Sequence, residues 1–169
     1  MTPEQPEQDA QLIVRQQEAS MQVGQQLWGF LTQSPAEFTS LQYSCRHLGR
    51  MSQATLLGIR NDGSEGWNGL PRTNYEFGKA VDELRASIYR SGQGTWFSAM
   101  ISVSRQGGVS MKFDHDNEPD FGREVPAHLF VTDQENFPRD AEHIPDWLAA
   151  KHEEGRKNPP PAPRTYVKR

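Results

Sequence analysis

The segment TWFSAMISVSRQGGVSMKF, Thr95 to Phe113, restricts the fold more than any other stretch of this chain. Phe97, Ala99, Ile101 and Val103 fall on one face, and Trp96, Ser98, Met100 and Ser102 on the other, the period-two alternation of a half-buried strand. Gln106-Gly107-Gly108 supplies a turn, and Val109, Met111 and Phe113 resume the inward face on the way back. A β-hairpin with one apolar face needs helices or a second sheet to cover it. The rest of the chain supplies helices.

Phe77, Val81, Leu84 and Ile88 recur at helical spacing and predict a helix over Asn74 to Tyr89, with Thr73 or Asn74 as its cap. A broken apolar stripe from Leu12 to Leu31 predicts another, from Ala10 to Thr32, stopped by Ser34-Pro35. Glu37 to Arg46 and Gln53 to Arg60 read as strands, and Asn61 to Gly66 as a turn. Trp67, Leu70 and Pro71 are expected to cover one end of the core. A C-terminal helix is expected from Glu142 to Glu154, anchored by Ile144, Trp147 and Leu148. The expected architecture is α+β: an antiparallel sheet of about four or more strands packed against helices.

At 169 residues the chain fits one domain. Hydrophobic residues make up 34% and mean hydropathy is -0.80, low enough to assign part of the length to solvated tails. Residues 1–9 and the proline-rich 155–169 are expected to be disordered around a domain spanning 10–154, and the proline run reads as a bare tail or a polyproline ligand. A net charge of -4 offers no basic field to attract nucleic acid or anionic lipid, and favours a basic protein partner. A single cysteine, Cys45, rules out an internal disulfide framework. The polar, acidic opening MTPEQPEQDAQ lacks the cationic start and apolar run of an export signal, so a cytoplasmic location is expected.

The return strand ends in FDHDNEPD. Asp114, Asp116, Glu118 and Asp120 alternate as the first ligands of a calcium loop do, but Pro119 stands where such a loop needs glycine and Val125 where it needs its bidentate glutamate. His115 with its aspartates could hold a transition metal, or His115 or His143 could serve in acid-base catalysis. The plainer reading is a solvated strand end whose charges blunt an edge. Ser91-Gly92-Gln93-Gly94, beside Trp96, reads either as a helix cap or as a mobile finger that presents Gln93 to a partner's cleft.

Taken together, GTWFSA, the two-glycine turn, FDHDNEPDF and FPRDAEHIPDWL resemble the actinobacterial YezG-type immunity proteins, which neutralise secreted polymorphic toxins; the likeness covers Leu84 to Leu148. Where the family's FDYD-x-x-P stretch commonly has an aromatic residue, this chain has His115. The resemblance implies an α+β fold, no catalysis, no cofactor or resident metal, and one toxin bound per chain. A narrower likeness is to immunity factors of the necrotizing-toxin kind in mycobacteria, which implies an NAD-hydrolysing toxin as the target. The expected contact residues are Ser91, Gly92, Gln93, Gly94 and Trp96, with Asp114, Asp116, Glu118 and Asp120 pairing to lysines or arginines of the toxin. Three alternatives stand beside this reading: a nuclease toxin as target, a small metal-dependent hydrolase centred on Asp114, His115 and Asp116, and a scaffold that recruits partners through its tail. Pro138-Arg139-Asp140 and Ile144 to Leu148 are expected to fasten the C-terminal helix, with Arg139 bridging carboxylates and Trp147 docked on the sheet.

Overall fold

The structure, a computed structural model, describes residues 4–164. Helix α1 (Glu4–Gln33) leads into a hairpin of β1 (Phe38–Leu48) and β2 (Met51–Arg60), then the two-residue β3 (Glu65–Gly66) and α2 (Tyr75–Ile88). Strands β4 (Ser98–Ser104) and β5 (Val109–Asp114) form the second hairpin. The chain ends with α3 (His128–Asn136), a 3-10 turn at Ala141–His143, and α4 (Asp146–Lys157). All pairings are antiparallel, in the order β3-β2-β1-β4-β5. The fold is α+β, as the alternation and the helical periodicity require.

The alternation of β4 dictates the layering. Ala99, Ile101 and Val103 are buried while Met100 is exposed, so one sheet face carries the core and the other meets solvent. Helices α1 and α2 cover the core face: Val23, Leu27 and Leu31 from α1 and Phe77, Val81 and Leu84 from α2 pack on Leu41, Tyr43, Ile101 and Val103. Phe77 meets both Phe30 and Tyr43 edge-on. Asn74 caps α2, accepting a 2.9 Å hydrogen bond from the Phe77 amide. Gly58 of β2 has no side chain because the Phe38 ring fills the space that a Cβ would need.

A second, smaller cluster lies beyond the end of the sheet, where Leu48, Phe97, Phe121, Phe130 and Leu148 join the C-terminal helices to the rest. Helix α3 has no counterpart in the sequence reading. Its buried positions are only Phe130 and Asp133, so it shows no helical stripe.

Several boundaries differ from expectation. Helix α1 begins at Glu4, six residues before Ala10, so residues 4–9, expected to be disordered, are helical; the rest of that segment, 1–3, lies outside the described residues. Trp67 does not cover the core, being 71% exposed, whereas Leu70 packs against it. The C-terminal helix starts after Pro145, whose fixed φ suits a helix entrance, and continues to Lys157; Gly155, expected in the tail, is buried against the carbonyl of Ala127. Phe97 leaves the face of Ala99 and joins the second cluster.

Candidate partner-binding surface

The loop between α2 and β4 is not a simple helix cap. Helix α2 ends at Tyr89 without a left-handed residue, and Arg90 to Gly94 then make a closed turn, with the Arg90 amide donating to the Gly94 carbonyl and the Gln93 amide to the Arg90 carbonyl. Gly92 and Gly94 both adopt positive φ, 76° and 75°. A Cβ at Gly92 would collide with the Asp140 carboxylate, and one at Gly94 with the Arg139 side chain. Both glycines are required by what packs on them.

Arg139 is the residue that packs there. Its buried guanidinium donates through Nη2 to the carbonyls of Thr95 (3.0 Å) and His115 (2.6 Å), and through Nη1 to the carbonyl of His143 (3.1 Å). The guanidinium carbon lies 5.1 Å from the Phe97 ring centre, and Asp116 approaches Nη1 at 3.5 Å. Its backbone bridges Gly92 and Gln93, while the Asp140 amide donates to the Gly92 carbonyl at 2.7 Å. One side chain therefore joins the start of the second hairpin, its end, and the C-terminal turn. Only the planar five-donor fork of arginine reaches three carbonyls in this way. The expectation that Arg139 bridges carboxylates is corrected: its main partners are carbonyls, with Asp116 at the margin.

Beneath Arg139 lies a second buried cation. Arg85 donates to both oxygens of Asp133, at 2.7 and 3.0 Å, and through Nε to the Trp96 carbonyl at 2.8 Å. Asp133 also accepts from the Gly49 amide. Trp96 is fully buried, stacked on Phe113 and edge-on to His47. It cannot touch a partner; its assignment to the contact surface is corrected, because Arg85 draws its backbone inward and the ring fills the core under α2.

The carboxylates of FDHDNEPD do not converge. Asp114 accepts from the amides of Asp116 and Asn117 and from the Asn117 side chain, which holds its carboxyl below the usual range. Asp116 turns to Arg139, Glu118 faces Lys151 at 3.6 Å, and Asp120 accepts from the Gly122 amide. The Trp147 indole donates to the Asp116 carbonyl and its ring packs on Phe97 and Phe130, so it docks on this loop and the second cluster rather than on the sheet. Burial, then the charge of Arg139, lowers the pKa of His115. Among the described residues, the grouping with metal-ligand spacing is elsewhere: Asp140, Glu142 and His143 bring one ligand atom each within 4.8 Å of one another.

What reaches solvent here is a rigid knuckle. The Ser91 and Gln93 side chains are exposed at the tip of the pinned loop, with Asp140 and Glu142 exposed beside it and Asp116, Glu118 and Asp120 along the adjoining hairpin end. Gly94 is buried and shapes the knuckle from within, whereas Gly92 is half-buried at its surface. Two cavities lie away from it, about 880 Å3 between α1 and α2 and about 580 Å3 beside Trp67 and Leu70, and a smaller one of about 340 Å3 borders the hairpin end at Phe113 and Asp114. The sequence marked Arg139 as a fastener of the C-terminal helix but not as organiser of the Gln93 loop, because its partners Thr95 and His115 lie 44 and 24 residues away.

No protein-family model and no curated protein matches the chain. No helix among the described residues is long and apolar enough to cross a membrane.

Proposed function

We propose that this chain is a cytoplasmic immunity protein that binds a cognate toxin one to one and blocks its active site, the toxin being an NAD-hydrolysing enzyme. The observation that carries the reading is the Gln93 knuckle: a loop fixed by two obligatory glycines and Arg139, yet with an amide side chain that makes no hydrogen bond among the described residues. A preordered loop loses little entropy on entering a cleft, and a free amide can replace the hydrogen bonds of a substrate amide there. The carboxylates around it, Asp116, Glu118, Asp120, Asp140 and Glu142, suit a basic rim and speed encounter at low salt. The YezG-type resemblance of the same segment supports this reading.

The test uses purified NAD-hydrolysing toxin domains of the polymorphic-toxin class, with calorimetry for binding and NAD+ turnover for inhibition. Gln93→Ala is expected to weaken binding by about 1–3 kcal/mol, the usual cost at an interface hot spot. Inhibition unchanged by Gln93→Ala combined with Asp140→Asn and Glu142→Gln would refute the surface. Absence of any binding would refute the function.

A further inference from the structure

Helix α1 is apolar on two sides, and only one of them is covered. Its 30 residues extend about 45 Å against about 21 Å for the 14 of α2, so much of α1 has no helix beside it. Ala19, Val23, Leu27 and Phe30 face the core. A second stripe, Ala10, Ile13, Val14, Gln17, Met21, Gly24 and Trp28, lies on the flank towards β5 and contains no charged residue.

Val109 of β5 extends the stripe: its methyls sit where a Cβ on Gly24 would be, at 3.3 Å, in the notch between Met21 and Trp28. Ile13, Val14, Met21, Trp28 and Val109 are each 41% to 60% exposed. Five large side chains left about half uncovered amount to on the order of 500 Å2, at the upper end of what a monomer ordinarily shows.

We infer that this stripe is a homodimer interface, in which two copies pair α1 against α1 antiparallel about a two-fold axis near Met21. Three observations choose a second copy as the occupant. Two such patches together remove about 1,000 Å2 from water, the scale at which specific interfaces begin. The axis sets Val14 of one copy against Trp28 of the other and Met21 against itself, so apolar groups meet apolar groups. The protein carries net charge -4, and the stripe itself is uncharged, with Glu7 and Glu18 only along its margin, so the like charges fall at the rim of the pairing and its centre is apolar. The stripe shares no residue with the Gln93 knuckle, so this inference stands or falls independently of the proposed function.

Sedimentation of the full chain should give a dimer, twice 19.2 kDa, little affected by salt. Val14→Glu with Met21→Glu should raise the dissociation midpoint at least tenfold with unchanged circular dichroism, whereas Trp67→Ser, at an exposed site off the stripe, should not. As an independent check, Met21→Cys should form an intermolecular disulfide under mild oxidation and Trp67→Cys should not; Cys45 is buried and stays inert. The inference is overturned by a monomer at all concentrations, by a dimer that survives the paired glutamates, or by failure of residue 21 to cross-link. A monomer that co-sediments with phosphatidylglycerol vesicles through this helix also overturns it.

Discussion

Arg85 and Asp133, 48 residues apart in sequence, form a two-pronged ion pair with both side chains almost entirely out of water. The pair joins α2 to α3, and its remaining hydrogen bonds go to the backbone of Trp96 and Gly49. Removing one partner leaves an unpaired charge in the interior, which costs about 3–5 kcal/mol. Urea denaturation of Arg85→Ala and Asp133→Ala should show losses of that size. Arg85→Met with Asp133→Leu should cost clearly less than the two single changes combined, because neither charge is left stranded.

Arg139→Lys keeps the charge and loses the fork. One ammonium cannot reach the carbonyls of Thr95, His115 and His143 together, so at least one buried acceptor goes unpaired, at about 1–3 kcal/mol. Hydrogen exchange should accelerate first at the amides of Gln93 and Asp140, whose hydrogen bonds hold the loop. Uniform acceleration across the sheet would show that Arg139 has no local role.

His47 makes stability fall in mild acid. Burial, then the charge of Arg85, pushes its pKa down to about 4 from 6.5, so the 3.4 Å approach to Asp82 is a contact of a neutral imidazole at pH 7. Between those values the unfolded chain holds a proton that the native state refuses. The contribution is fully present above pH 6.5 and disappears as pH falls to about 4, roughly 3 kcal/mol in all. His47→Gln should flatten the dependence of the urea midpoint on pH across this window, and an unchanged slope would remove His47 as its source.

Two glycines with similar backbones should respond differently to alanine. Gly63 has φ 83° and open space around it, so Gly63→Ala incurs only the left-handed backbone term, about 1 kcal/mol. Gly94 has φ 75° and the Arg139 side chain where a Cβ would go, so Gly94→Ala should lose at least twice as much in thermal unfolding. Equal losses would mean that Arg139 yields freely.

The sheet and α2 were legible because their patterns are local. Alternation through Ala99, Ile101 and Val103 and helical spacing through Phe77, Val81 and Leu84 need no knowledge of the rest of the chain. Helix α3 was not legible because half of what it buries is Asp133, a charge that is tolerable only opposite Arg85. Trp96 misled for a related reason. Alternation placed it opposite Phe97, but Thr95 to Phe97 precede the ladder, and Arg85 and Arg139 decide where their carbonyls point. At the candidate surface the sequence marked Gln93 and the glycines, while the clamp that orders them lies in a turn far along the chain.

The placement of that clamp sets the order in which the surface can come into being. The sheet, α1 and α2 are complete once synthesis has passed Asp114, but the loop around Gln93 gains its fastening only when Arg139 has left the ribosome and folded back. A nascent or truncated chain ending before that residue carries the scaffold and the Gln93 loop without the grip between them.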